Sequence, residues 1–165
     1  AEDADHMTRP EFERHIRNEA LSWVGVGFTH NGRTKSQGVD CLGLSLCLYK
    51  SIGLEPPMDG KTYRFDWAFH MIEHPYFNEL MGLSVEVPKD QLKIGDMIYF
   101  QSPALTGAGI NVPTHSGLYL GNNEFVHSIT GRGVFIANLT TRIWRESFAG
   151  ARRPLALLAL LGETA

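Results

Sequence analysis

The sequence predicts an α+β fold in which an antiparallel sheet packs on a central helix. Three observations lead there. Apolar residues recur every three or four positions early in the chain, and short β-type runs separated by Gly and Asn replace them from Met97 onward. Between these two regimes, the segment after Asp40 is apolar on most of its circumference, as befits a helix covered on all sides. With 165 residues, 43% of them hydrophobic and 20% charged, the chain can bury one core and has no room for two large ones. A single domain over residues 8–165 is expected.

Each element has its own signal. Thr8 and Glu11 have capping-box spacing, Pro10 suits a first helical turn, and Phe12, Ile16, Ala20 and Trp23 mark one face of a helix that ends near Gly25. Residues 25–38 are dense in glycine and small polar side chains and read as an irregular loop. Asp40 is a good N-cap for the second helix, in which Leu42, Leu44, Leu46, Cys47, Leu48 and Ile52 are apolar and Gly53 is a stop. Residues 55–94, broken by Pro56, Pro57 and Pro75, read as a largely helical insertion. Its aromatics, among them Tyr63, Phe65, Trp67 and Phe69, suit a secondary core better than a groove. Strands are expected at 97–101, 116–120, 124–128 and 134–137, with Gly121-Asn122-Asn123 as a hairpin turn.

Charge and length exclude several function classes. Fifteen Lys and Arg against eighteen Asp and Glu give a net charge of −3 with no basic block, so no nucleic-acid partner is expected. The longest apolar run, residues 155–161, is too short to span a membrane. Residues 1–7 lack the basic start and apolar middle of a secretory signal, so any export uses another route or a signal that this sequence does not include, and the localisation stays open. The two cysteines, Cys41 and Cys47, cannot build a disulfide framework and read as free thiols.

Cys41 follows the N-cap directly. Its place in the first helical turn, near unpaired N–H groups and the positive end of the helix dipole, favours a thiolate and makes it a nucleophile candidate. The plainer alternative is a buried structural cysteine, which is the expectation for Cys47. A thiol nucleophile needs a base, and position sorts the histidines. His6, His15, His70 and His74 read as surface or packing residues, and His30 borders the site from the loop. His115 opens one strand and His127 lies on the next, so the two can be neighbours in space. Such a pair can supply a base and the group that fixes its ring, although two incidental histidines on a sheet would look the same.

Four blocks together carry a resemblance. Gly38-Val-Asp-Cys-Leu-Gly-Leu44 resembles the Asp-Cys-x-Gly signature of the NlpC/P60 cysteine peptidases, and Leu92-Lys-Ile-Gly-Asp-Met-Ile-Tyr-Phe100 resembles their Leu-x-x-Gly-Asp block. Thr114-His-Ser-Gly-Leu-Tyr-Leu-Gly121 and Glu124-Phe-Val-His-Ser128 are similar to the family's two histidine-bearing strands. The likeness covers roughly residues 20–154, and its blocks agree in order. It implies a reduced papain-like fold, a catalytic set of Cys41, His115 and His127, and no metal or cofactor. It also implies a peptidase or amidase acting on bacterial peptidoglycan stem peptides, often between D-glutamate and a diamino acid.

The chain departs from the family in one stretch. A tyrosine that members commonly carry upstream of the cysteine is replaced in Phe28-Thr-His-Asn-Gly32, which removes one hydroxyl from the oxyanion region. Phe28, His30, Asn31 and Asp40 are the candidates for substrate binding or oxyanion support. The His30-Asn-Gly-Arg33 wording resembles the phage and prophage tail-associated branch, which implies phage-tail or other delivery proteins as partners. Three alternatives remain at this level: a tail-tip structural module with little turnover, an acyltransferase on the same scaffold, and a zinc site through Cys41, His115 and His127. The zinc reading lacks a Cys-x-x-Cys pair, and the one His-x-x-x-His pair, His70 and His74, lies elsewhere.

Overall fold

Helix α1 (Arg9–Trp23) starts where its caps dictate: the Thr8 hydroxyl accepts the Glu11 N–H at 3.2 Å, and Phe12, Ile16, Ala20 and Trp23 turn inward. Helix α2 (Cys41–Ser51) starts at Asp40, whose carboxylate accepts the Gly43 N–H at 2.7 Å, and it is buried along most of its length. The computed structural model describes residues 6–55, 84–109 and 114–165. Eight strands follow in the described residues: β1 (Arg33–Thr34), β2 (Gly38–Val39), β3 (Ser84–Glu86), β4 (Met97–Phe100), β5 (His115–Gly121), β6 (Glu124–Ile129), β7 (Gly133–Asn138) and β8 (Phe148–Pro154). Short helices α3 (Pro103–Gly107), α4 (Arg142–Ser147) and α5 (Leu155–Leu161) complete the description. None of the described helices is long and apolar enough to cross a membrane.

Six strands form one antiparallel sheet in the order β3-β8-β4-β5-β6-β7, while β1 and β2 make a small hairpin inside the glycine-rich loop. Because side chains alternate across a strand, the central strands β4, β5, β6 and β7 feed two separate cores. Met97, Leu118, Leu120, Val126 and Val134 face α1 and α2 in a mainly aliphatic core. Ile98, Phe100, Tyr119 and Phe125 face the other way, where Val87, Leu139 and Ala151 join them and Trp144 and Phe148 pack at the edge. The fold is thus the expected α+β arrangement, with the helix that carries Cys41 pressed on one face of an antiparallel sheet.

The Leu92–Phe100 block acts as a tie between layers. Asp96 is fully buried and receives two bonds from the Arg153 guanidinium, both 2.8 Å, plus the Lys93 N–H at 2.8 Å. Tyr49 of α2 donates to the Gly95 carbonyl at 2.7 Å, so helix and sheet are joined at one turn. Removing one member of such a buried pair would strand the other and cost about 3 to 5 kcal/mol.

Two expectations change. Residues 84–94, read as the end of a helical insertion, instead hold strand β3 and a single 3-10 turn at Lys89–Gln91, because Ser84–Glu86 finds ladder partners on β8. The helical reading of 56–83, with its aromatics and with His70 and His74, lies outside the described residues. Strand β8 itself had no hydrophobic alternation to announce it: only Ala151 in it is fully buried, and it exists because β3 and β4 flank it.

Candidate active site

Cys41 is held by a clamp of short-range contacts around Asp40. One carboxylate oxygen caps α2 at Gly43, and the other accepts the Asn31 N–H at 2.7 Å, which draws the loop of residues 28–33 over the head of the helix. Arg33 and His30 approach the same carboxylate at 3.6 and 3.9 Å. The loop can lie this close only because residue 43 is glycine: a Cβ there would stand 2.7 Å from the Gly32 carbonyl and 2.8 Å from the Asp40 carboxylate, and would strike Arg33.

The histidines are placed by strand register. Leu118 opposite Val126 and Tyr119 opposite Phe125 put His127 across from Gly117, so His115, two residues along, is its diagonal neighbour on the same face. Their rings meet, with His115 Nε2 and His127 Nδ1 2.8 Å apart. His115 Nδ1 is therefore the ring nitrogen that His127 leaves unengaged. Cys41 and His115 line one cavity of about 390 Å³, together with Phe28, His30, Asp40, Thr114, Ser128, Ile129 and Thr130. His127 is fully buried behind His115 and is not part of the cavity wall.

Burial sets the protonation of all three groups. It pushes the Cys41 thiol up to about 11, with the Asp40 charge adding to the rise. The Ser116 backbone and hydroxyl and the Leu42 N–H favour the thiolate, but they do not offset desolvation. Burial lowers His115 to about 4, and it lowers His127 to about 3 with help from the charges of His115 and Arg132. Burial and the Asp40 charge thus work against the thiolate that the helix start favours, and burial favours the neutral imidazole of His115. The dipole argument is opposed because the cap that opens the helix is itself an anion, and because Cys41 is only 8% exposed.

The other candidates sort as follows. His30 and Phe28 line the cavity, Phe28 without a hydroxyl to offer. Asn31 enters through its backbone, held at φ 60°, and its N–H already serves Asp40. Asp40 is a cap and clamp. Cys47, expected in the core, is half-buried with its thiol directed to the Arg33 carbonyl at 3.5 Å. His15 packs against Ser51 at 3.2 Å, as a structural residue would. Among the described residues, no three His, Cys, Asp or Glu side chains converge as cation ligands, and the two imidazoles contact each other directly where a zinc site would need space between them.

Sequence reasoning missed two residues. The Ser116 hydroxyl is buried beside the Cys41 sulfur and makes no well-formed hydrogen bond with the resting thiol. Trp144 covers both histidine rings, at 5.6 Å from His115 and 4.8 Å from His127. Ser116 could have been flagged by its place next to His115, whereas nothing local marks Trp144.

The sequence pattern of the NlpC/P60 family matches residues 25–153 of this chain, which includes the whole site. The chain belongs to the NlpC/P60 family. Among NlpC/P60 relatives, the murein DD-endopeptidase MepS/murein LD-carboxypeptidase of Escherichia coli is 29% identical over 158 residues, covering 90% of this chain and 71% of that protein. The gamma-D-glutamyl-L-lysine dipeptidyl-peptidase of Bacillus cereus is also 29% identical over 139 residues, 84% of this chain and 35% of the relative. A solved structure of an NlpC/P60 family protein from Bacillus cereus superposes with a TM-score of 0.65 at 27% identity, covering 87% of this chain and 40% of that one. The chain therefore spans well under half of the latter two NlpC/P60 proteins.

Proposed function

We infer that this chain is a cysteine peptidase hydrolysing bacterial cell-wall stem peptides, and that residues 8–165 act as one catalytic domain. The observation that carries the reading is the His115 Nε2 to His127 Nδ1 contact of 2.8 Å, with His115 and Cys41 on one cavity. Family membership and relatives named for murein and γ-D-glutamyl peptides support the substrate class.

The neutral pair that burial favours sets the order of events. His115 Nδ1 takes the thiol proton as the Cys41 sulfur attacks the peptide carbonyl, so proton transfer accompanies attack. The oxyanion then faces the Cys41 backbone N–H at the head of α2, a donor fixed by the Asp40 cap. His115 returns its proton to the leaving amine, which leaves a thioester on Cys41. Water, deprotonated by His115, attacks this thioester and releases the carboxylate and the free thiol. His127, bonded to the far nitrogen of His115, keeps the ring aimed throughout.

The bond proposed is that between D-glutamate and the diamino acid. Phage-tail or other delivery partners rest on the wording of residues 30–33 alone. The reading is tested by incubating purified muropeptides with the protein and identifying products by mass. Cleavage at the D-glutamyl bond, absent in Cys41→Ala, is the expected result. Products cut at a D,D cross-link would reassign the bond within the same class, and an inert wild type with an unreactive Cys41 would favour the structural module.

A further inference from the structure

His127 has one nitrogen accounted for and one that is not. Nδ1 meets His115, while Nε2 is buried and has no hydrogen-bond partner among the described residues. Aromatic rings pack against the imidazole instead, centroid to centroid: Phe135 at 4.2 Å, Phe125 at 4.7 Å, and Trp144 at 4.8 Å and nearly perpendicular. Phe125 and Phe135 come from the sheet itself, from β6 and its ladder partner β7. Trp144 comes from α4, outside the sheet, and it also covers His115 and abuts Phe100 and Phe125. The rest of α4 faces elsewhere: Arg142 pairs with Glu146, Arg145 donates to the Thr140 carbonyl, and Ile143 is exposed.

We propose that Trp144 is a positioning residue, one that keeps water from the His115–His127 pair and holds it in the single tautomer in which His115 can accept the Cys41 proton. The pair has two neutral arrangements. In one, His115 Nε2–H donates to His127 Nδ1, His115 Nδ1 is bare toward Cys41, and the His127 proton sits on Nε2 among the rings. In the other, His127 Nδ1–H donates, His115 Nδ1 carries the proton and cannot act as base, and the bare Nε2 lone pair faces the rings. Aromatic faces carry partial negative charge, so they favour an N–H and repel a lone pair. Because Nε2 is buried among these rings, the cage favours the productive arrangement.

Among the described residues, the titratable and charged groups around the pair are few. They are Cys41 and Asp40 at the head of α2, His30 of the loop, and Arg132 of the β6–β7 turn, whose guanidinium lies 3.6 Å over the Phe135 ring. Arg132 opposes a positive charge on His127, as does burial. Opening the cage would relieve the burial but not the Arg132 charge.

The inference rests on the assignment of His115 as base, and its test needs no substrate. In the full-length chain labelled with 15N-histidine, at neutral pH, His127 should show a bare Nδ1 and a protonated Nε2 that exchanges slowly with water. Trp144→Ala should bring both tautomers into exchange and move the pH at which His115 protonates from near 4 toward the ordinary imidazole value of about 6.5. The acid limb of Cys41 alkylation by iodoacetamide should move with it. On a cleaved muropeptide, the same variant should lose roughly ten- to a hundredfold in kcat with little change in KM, the cost of a misaimed group, and Trp144→Phe should recover most of the loss. An unchanged tautomer and acid limb in a folded Trp144→Ala would overturn the proposal. So would a wild-type spectrum with the proton on His127 Nδ1 or with fast exchange at Nε2, which decides the matter even where the alanine variant does not fold. Should no muropeptide be cleaved while spectra and alkylation behave as described, the substrate reading falls and the role of Trp144 stands.

Discussion

The two faces of the sheet differ in kind. Toward α2 the core is mostly aliphatic, with Leu44, Leu46, Leu48, Leu118, Leu120 and Val126 filling it. On the far side it is aromatic, and it encloses polar groups: His115 and His127 stand among Phe100, Phe125, Phe135 and Trp144. Cys41, the proposed nucleophile, thus belongs to a layer held by ordinary apolar burial, and His115, the proposed base, to a layer that is sound only while its histidines are neutral. Cys41 and His115 line one cavity between them. The site depends on both faces, but only one of them should be sensitive to acid.

The largest expected effect breaks the aromatic face at its chemistry. His115→Ala should lose about a hundred- to ten-thousandfold in kcat/KM, the range for a missing general base, and His127→Ala distinctly less, because an orienting group can be partly replaced by water. Steady-state kinetics on a cleaved muropeptide would check this. Equal losses would mean that the pair shares the proton and does not divide the roles.

Core truncations sharpen the comparison next. Leu118 and Phe125 are both fully buried, on opposite faces of neighbouring strands. Each replacement by Ala should lower stability in urea by about 2 to 5 kcal/mol. Phe125→Ala should also lower kcat, since it touches His127, whereas Leu118→Ala, while folded, should leave kcat close to wild type.

Acid should then separate the faces without any mutation. Unfolded histidines titrate near about 6.5, and folded His115 and His127 are held to about 4 and about 3. Between these limits the unfolded chain binds more protons, so stability falls as pH is lowered, by up to about 1.4 kcal/mol per pH unit per histidine. Urea midpoints measured between pH 7.5 and 5 should show the decline, and His127→Asn should flatten its slope. The kcat/KM profile should hold its activity down to pH values near 4, where His115 takes up a proton.

The smallest effect concerns the aliphatic side. Asp40→Asn keeps an oxygen for the α2 cap, since Asn and Asp cap about equally well, yet removes the charge that raises the Cys41 thiol. Cys41 should then react several-fold faster with iodoacetamide at pH 8, with a stability loss of about 1 to 3 kcal/mol because one of the Gly43 and Asn31 N–H groups loses its acceptor. A slower reaction would show that the loop clamp matters more to the thiol than the charge does.

What the sequence determined by itself is local. Thr8 and Asp40 announce their helices because a cap needs only its own side chain and the next turn, and the Gly121-Asn122-Asn123 hairpin follows from backbone angles that few other residues adopt. Cys41, His115 and His127 stood out as candidates for the same reason, each sitting at a helix start or on a patterned strand, within blocks that resemble a family. Tertiary structure alone decided three other things. It made a strand of Phe148–Pro154, whose residues carry no β pattern, because β3 and β4 supply the missing partners. It also brought Trp144 over the histidines from a six-residue helix with no local mark of function. And it set burial against the expected ionisation of Cys41, since desolvation depends on everything packed around a group and a helix start supplies only one of those contributions.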